Sequence, residues 1–212
     1  MRGMELFSTL GVLYLNEKDF AEELKTELIR KSIHMLIALV PLLASLLGAS
    51  ITLAILAAGV LFYSFSEYQR KQGRRIPLIT RITYAAARQT DREGIILGPI
   101  TLGIGAMLSL LLYPAPASII AIYSLAFGDS ISSIAGKLFG RNSFPYLQGK
   151  TLEGSLACFI LVFYITNRMV GALLPSLIVA GVATVLEAIP VKDLDNIILP
   201  MGSGFAATLF FT

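Results

Sequence analysis

The sequence has one cysteine, one histidine and no tryptophan in 212 residues. A single cysteine excludes an internal disulfide, and Cys158 lies in an apolar run where it reads as a small buried hydrophobe. A single histidine excludes a multi-histidine zinc or haem site, and neither H-E-x-x-H nor G-x-S-x-G occurs. Charge is scarce as well. Charged residues make up 15%, against about 25% in a soluble domain. The apolar share is 55%. This balance excludes a disordered chain and an ordinary soluble domain, and points to an integral membrane protein. No internal repeat, low-complexity tract or long linker divides the chain, so residues 1–212 read as one domain. Residues 1–30 mix acids and bases without a long apolar stretch and do not read as a signal peptide.

Seven stretches of the chain are apolar. They are Ile33–Leu47, Ile51–Phe65, Ile95–Leu112, Ile119–Phe127 with an extension over Ile131–Ala135, Leu156–Ile165, Leu173–Leu186 and Ile197–Thr212. In lipid each must be helical, because an open sheet leaves backbone groups unsatisfied. The expected fold is therefore all-α: a polytopic bundle of about seven transmembrane segments. Several stretches are shorter than the ~20 apolar residues of a full crossing, which implies that polar groups sit partly inside the bundle. The fourth stretch, with Asp129 in or at the end of it, reads either as a span or as a re-entrant segment. Before the first, "KDFAEELKTELIRK" predicts a short amphipathic helix with Phe20, Leu24 and Leu28 on one face. That face suits either the membrane surface or the bundle.

The basic residues test this arrangement. In a seven-span alternation, sixteen of the seventeen Lys and Arg residues fall on one side, and only Arg168 falls on the other. The positive-inside rule makes the rich side cytoplasmic. Glu67–Gly94 alone carries Arg70, Lys71, Arg74, Arg75, Arg81, Arg88 and Arg92. Such a loop attracts anionic headgroups and nucleotide phosphates. It has too little interleaved aromatic surface for nucleic acid.

The unusual polar clusters all fall on that side. "LIRKSIHM" brings Arg30, Lys31 and His34 to the start of the first span, with Arg30 and His34 on one helical face. Glu67 follows a long apolar run beside dense basic charge; a helix-end acid neutralised by Arg70 or Lys71 explains it equally well. In "YSLAFGDSISSIAGKLFG", Asp129 is costly at membrane depth unless paired or metal-bound. Gly136 and Gly140 have the spacing of close helix packing. "GKTLEGS" is not a nucleotide-binding P-loop, because Phe144 stands where the first glycine is required. Lys150, with Thr151, Gly154 and Ser155 at a helix start, still suits a phosphate, and Glu153 suits orienting Lys150 or binding a cation. In "EAIPVKDLDNIILP", Glu187, Asp193, Asp195 and Asn196 approach the same face, where Asp193 and Asp195 can offer oxygens to Mg²⁺. A polar loop with an N-capping acid accounts for the same residues.

Taken in order, "ELIRKSIH", "AFGDSISSIAGKLFG", "GKTLEGSLACF" and "EAIPVKDLDNIILP" resemble the family of CTP-dependent lipid and isoprenoid-alcohol kinases. That family includes dolichol kinase, phytol kinase and the yeast-type diacylglycerol kinase. The resemblance covers about residues 27–200. It matches Arg30, Lys31 and His34 to a basic–histidine motif, and Asp129, Gly136 and Gly140 to a central acidic–glycine motif. Lys150, Thr151, Glu153, Gly154 and Ser155 match a third motif; Glu187, Asp193, Asp195 and Asn196 match a late acidic one. The resemblance implies an integral membrane enzyme whose active site faces the cytoplasm. It would transfer phosphate from CTP to a membrane lipid alcohol, isoprenoid or diacylglycerol. Mg²⁺ would be held by Asp129, Asp193 and Asp195. Lys150 would contact phosphate with Arg30 or Lys31, and a carboxylate or His34 would take the hydroxyl proton. A CTP:phosphatidate cytidylyltransferase and a membrane transporter are the alternatives. The motifs do not choose the acceptor, and a homo-oligomer stays open.

Overall fold

The computed structural model describes residues 20–74, 76–87, 94–142 and 149–211. Residues 1–19, Arg75, Arg88, Arg92 and Thr212, which enter the sequence analysis, lie outside them. Among the described residues there are eight helices and no strand. They are α1 Phe20–Leu47, α2 Ala49–Lys71, α3 Pro77–Ala86, α4 Gly98–Leu112, α5 Ala117–Phe139, α6 Leu152–Val170, α7 Leu173–Ala188 and α8 Asp195–Phe211. Four of them, α1, α2, α5 and α6, are long and apolar enough to cross a membrane; α4 and α7 are shorter apolar helices. Each of the seven expected stretches falls on one of these helices. The added element is α3, in the basic segment that the sequence presents as a connection.

The expected amphipathic helix is not separate. It runs on into the first span as α1, and its inward face is the polar one. Glu27, Lys31 and His34 are buried, whereas Phe20 and Leu28 are exposed. Positions i, i+4 and i+7 form one helical stripe, so a polar stripe turns toward the bundle and an apolar one toward its surroundings. Leu36–Leu39 tightens into a 3₁₀ turn, with the Val40 amide donating to the Ile37 carbonyl. Pro41 comes next, has no amide to continue the α-helical ladder, and explains the change.

α5 is one continuous 23-residue helix rather than two short pieces. It contains a π turn over Ser124–Gly128, immediately before Asp129. Such a turn admits an extra residue and rotates the part of the helix beyond it; here Asp129 comes to face α1. α5 and α8 form the centre. α8 packs on α4, α5 and α7, and α6 packs on α5 and α7. The contacts rely on small side chains. Ala117, Ala206 and Ala207 gather with Ile120 and Val179, and Cys158, Ala180 and Ala183 with Val162 and Leu199. Small residues let helix backbones approach where lipid offers no hydrophobic drive. Large apolar side chains such as Leu46, Leu61, Leu111 and Leu174 point outward, as expected of a lipid-facing belt.

Pro200 lies inside α8 and leaves the Asn196 carbonyl without its i+4 donor. Gly105 of α4 covers that carbonyl, and a side chain there would overlap it. A similar close approach sets the α5–α6 contact. A Cβ on Gly154 would stand 2.6 Å from the Ser132 carbonyl oxygen and 3.2 Å from Thr151 Oγ1. Gly154→Ala must therefore part α5 from α6, and is expected to destabilise the fold by about 1–3 kcal/mol. Thermal unfolding in a fixed detergent measures this, and an unchanged midpoint would refute the close contact.

Candidate functional site

A cavity of about 630 Å³ brings together residues from most of the polar clusters. Its charged end is built by four elements. α1 supplies Arg30, Lys31 and His34; α5 supplies Asp129 and Gly136; the start of α6 is preceded by Lys150 and Thr151; the α7–α8 turn and α8 supply Asp193, Asp195 and Asn196.

Asp129 is the hub. It is 3% exposed and receives a hydrogen bond from Lys31 Nζ, itself 2% exposed. His34 Nδ1 stands 3.2 Å from the same Asp129 oxygen, near enough to interact but not aligned as a hydrogen bond. Ser130 Oγ adds a long bond to the Lys31 carbonyl at 3.4 Å. Thus 98 residues of separation close into one buried acid–base cluster. Beside it, Arg30 pairs with Glu27 at 2.5 Å. Asp195 is within electrostatic reach of Asp129, Lys31 and Lys150. Its own Oδ1 accepts from the Asn196 amide at 2.9 Å, tying the carboxylate to the first turn of α8.

Lys150 reaches across to Glu187 of α7, which is 1% exposed. The lysine is on the cavity wall and the glutamate is behind it. Thr151 caps α6, its hydroxyl accepting from the Gly154 amide at 3.1 Å. Asp193 has φ +62° in the turn before α8, a left-handed conformation that Asp tolerates better than most residues. Asn196 donates to Thr101 Oγ1 at 3.0 Å and to the Gly98 carbonyl at 3.3 Å. Among the described residues its Oδ1 has no hydrogen-bond partner, nor does the buried Arg30 Nε. Both are groups that a polar ligand would satisfy.

Six singled-out residues do not line this cavity: Glu67, Gly140, Glu153, Gly154, Ser155 and Glu187. Glu153 instead accepts from Asn142, at 3.0 Å from its side-chain amide, on the exposed side of α6. Gly154 is buried against α5, where its small size serves packing, and Ser155 beside it is buried with a hydroxyl that has no hydrogen-bond partner among the described residues. Glu67 receives Arg70 through two bonds, at 2.5 and 2.9 Å, and the Ile96 amide at 2.8 Å. Arg70 also donates to the Gly94 carbonyl at 2.7 Å and to Tyr84 Oη at 3.3 Å. This knot fastens α2 to α3 and to the backbone just before α4.

Asp129, Asp193 and Asp195 line one cavity, yet among the described residues no three His, Cys, Asp or Glu side chains gather closely enough to hold a metal ion. A preassembled three-carboxylate cage is therefore not present. The set does suit a magnesium ion that arrives on phosphates, since Mg²⁺ commonly takes one or two carboxylates and leaves the rest to substrate oxygens and water. Glu27 opens the stretch "ELIRKSIH" and lines the cavity, although the sequence reading gives it no role. Its place on the Lys31–His34 stripe was the available signal. Tyr63 and Thr101 had no such signal, because their roles arise from α2, α3 and α4 coming together.

Curated proteins of the same kind as the motif resemblance are similar to this chain. A probable phytol kinase 1 from Oryza sativa is 28% identical over 157 residues, covering 66% of this chain and 50% of its own length. A probable phytol kinase from Triticum aestivum is 30% identical over 145 residues, 60% of this chain and 48% of its own. A farnesol kinase from Arabidopsis thaliana is 25% identical over 142 residues, 59% and 46%. All three names carry the designation chloroplastic. The chain spans about half the length of these relatives. No family model matches it, and no solved structure does. The similarity supports the isoprenoid-alcohol kinase family as the type to which the motifs point.

Proposed function

We propose that the chain phosphorylates an isoprenoid alcohol at the charged end of this cavity, with CTP as donor. One observation carries the reading: a single cavity joins buried Lys and Asp groups and a part-buried Arg to a wall of aliphatic and aromatic side chains. That is the shape required by a substrate with a hydroxyl at one end and hydrocarbon at the other. The names of the relatives favour an isoprenoid alcohol over diacylglycerol, and the choice of CTP rests on the motif resemblance. The same reading makes the bundle one catalytic domain, with its charged mouth toward the cytoplasm on the basis of the basic loops.

In the proposed reaction the alcohol oxygen attacks the γ-phosphorus. The bond from that phosphorus to the β–γ bridging oxygen breaks, leaving CDP and a lipid monophosphate. The hydroxyl proton passes to a cavity base, a carboxylate or His34, and Asp195, Asp193 and His34 are among the residues that line the space. Lys150 and Arg30 offset charge on the transferring group. Asp129 holds Lys31 in the same wall and so fixes the positive field that phosphates meet. Asp193 and Asp195 would hold a magnesium ion that arrives on the phosphates, and the ion would supply charge neutralisation there. Most of the acceleration would then come from positioning and charge balance.

The test uses purified protein in mixed micelles with Mg²⁺ and γ-labelled CTP. Geranylgeraniol, phytol, farnesol and diacylglycerol are offered separately, and the lipids are resolved. Label in an isoprenoid monophosphate is the expected result, with ATP a poorer donor. Pyrophosphate and a CDP-lipid would instead show cytidylyl transfer. Folded protein that consumes no nucleotide with any alcohol would overturn the reading.

A further inference from the structure

The apolar lining of the cavity comes mainly from α2 and α3. Ile79, Ile82, Thr83 and Ala86 line it from α3, at the three- and four-residue spacing of one helical stripe. Phe62 and Tyr63 face them from α2. Phe62 and Ile82 are also 57% and 48% exposed, so they stand at an open edge of the cavity and not at its floor. Phe62 precedes Lys71, the last residue of α2, by nine positions, or about 13 Å along the axis at 1.5 Å per residue. It belongs to the apolar run of that helix, well away from its basic end. The opening therefore borders the apolar run of α2, while Lys31, Asp129 and Lys150 line another part of the same space.

α3 is held in this position rather than merely resting there. The Tyr63 hydroxyl interacts with Thr83 and donates to the Ile96 carbonyl at 3.3 Å. Arg70, locked by Glu67, reaches Tyr84. Both fastenings avoid the outer face of α3, where Leu78 is 70% exposed. The helix thus has one stripe for the cavity and one for the membrane.

Resting on the kinase proposal, we infer that the cleft between α2 and α3 takes the hydrocarbon chain of the acceptor, entering sideways from the bilayer, and selects a single linear isoprenoid tail. The volume supports one chain. A space of about 630 Å³ is within the roughly 300–1,000 Å³ range of sites for one small ligand. Part of it must admit nucleotide phosphates, and the remainder is on the scale of one chain and not of two. Ile82 and Phe62 form the two lips, and Ala86 lies deeper on the same α3 stripe, so side-chain size at Ala86 sets how much tail can pass.

Two measurements test this. An isoprenoid alcohol with a diazirine at its tail end is photolysed on the intact protein in micelles, and labelled residues are mapped. Label is expected at Phe62 and within residues 79–86, depleted by excess geranylgeraniol but not by diacylglycerol. Label spread over other outward residues, such as Ile160 and Leu174, without depletion by geranylgeraniol, would overturn the assignment. Second, Ala86→Trp should reduce that labelling and raise KM for geranylgeraniol about tenfold more than KM for the short alcohol prenol, as expected for a side chain forced into occupied space. Equal changes for both alcohols in monodisperse protein, or none in either, would count against a tail site. Should Ala86→Trp not fold, Ile82→Ala serves instead: label yield and the preference for long over short chains should both fall. If wild-type protein transfers no phosphate to any alcohol, the kinase reading fails, and the labelling pattern still decides where an isoprenoid chain binds.

Discussion

Asp129→Asn is expected to lower phosphoryl transfer by about a hundredfold or more, the scale on which a preorganised electrostatic group acts. The substitution keeps the shape and removes the charge. Lys31 is then left 2% exposed with its carboxylate gone. Breaking a buried pair from one side is itself destabilising, by about 3–5 kcal/mol. Activity loss alone would therefore not separate chemistry from folding. The informative comparison adds Lys31→Met to Asp129→Asn. With both charges gone, no lone ammonium remains, and stability should return toward wild type. Turnover should not return, because the positive wall facing the phosphates is now missing together with its anchor. Thermal midpoints and turnover in the same micelles give both quantities. A double variant that regains both would make the pair purely structural, and would remove Asp129 and Lys31 from the proposed site.

The pair also shows what a sequence can and cannot disclose. Asp129 in an apolar run announces that it needs a partner, since a bare carboxylate at that depth is costly. The partner's identity is not local. Lys31 lies 98 residues away, and it meets Asp129 because the π turn at Ser124–Gly128 rotates the acid toward α1. Nothing in "YSLAFGDS" marks that turn. The helical stretches, in contrast, are legible nearly throughout, because membrane segments must satisfy their own backbone and so appear as apolar runs. The seven stretches correspond to α1, α2 and α4–α8.

α3 escaped for the opposite reason. Its sequence "PLITRITYAA" is amphipathic, short and set among basic residues, so charge dominates the reading of that segment. Pro77 at its start and the Ile79–Ile82–Ala86 spacing were the available signals. Gly154 and Ser155 carry two readings at once. Small residues beside a lysine suit a phosphate in sequence, but helix packing makes the same demand on size. The Ser132 carbonyl already occupies the space next to Gly154. Buried charged residues thus stand out by their cost in lipid, while the packing of their neighbours is visible only in the fold.

Lys150→Met should reduce turnover by about 10²–10³-fold if its ammonium offsets charge that develops on phosphate. Its structural support makes a sharper prediction. Glu187 is 1% exposed, binds Lys150 through one carboxylate oxygen, and among the described residues has no hydrogen-bond partner for the other. Such an acid has little to do except hold the lysine. Glu187→Gln preserves its volume and weakens the hold, so it should raise the nucleotide KM and lower kcat by about tenfold in total, the effect of losing roughly one charge-assisted hydrogen bond. Because Glu187 would act only through Lys150, the losses should not multiply. The Lys150→Met/Glu187→Gln double variant should be no less active than Lys150→Met alone, the signature of two residues working as one unit. Losses that multiply would mean that Glu187 influences the reaction by another route, and would require a second contact for the carboxylate oxygen that faces away from the lysine.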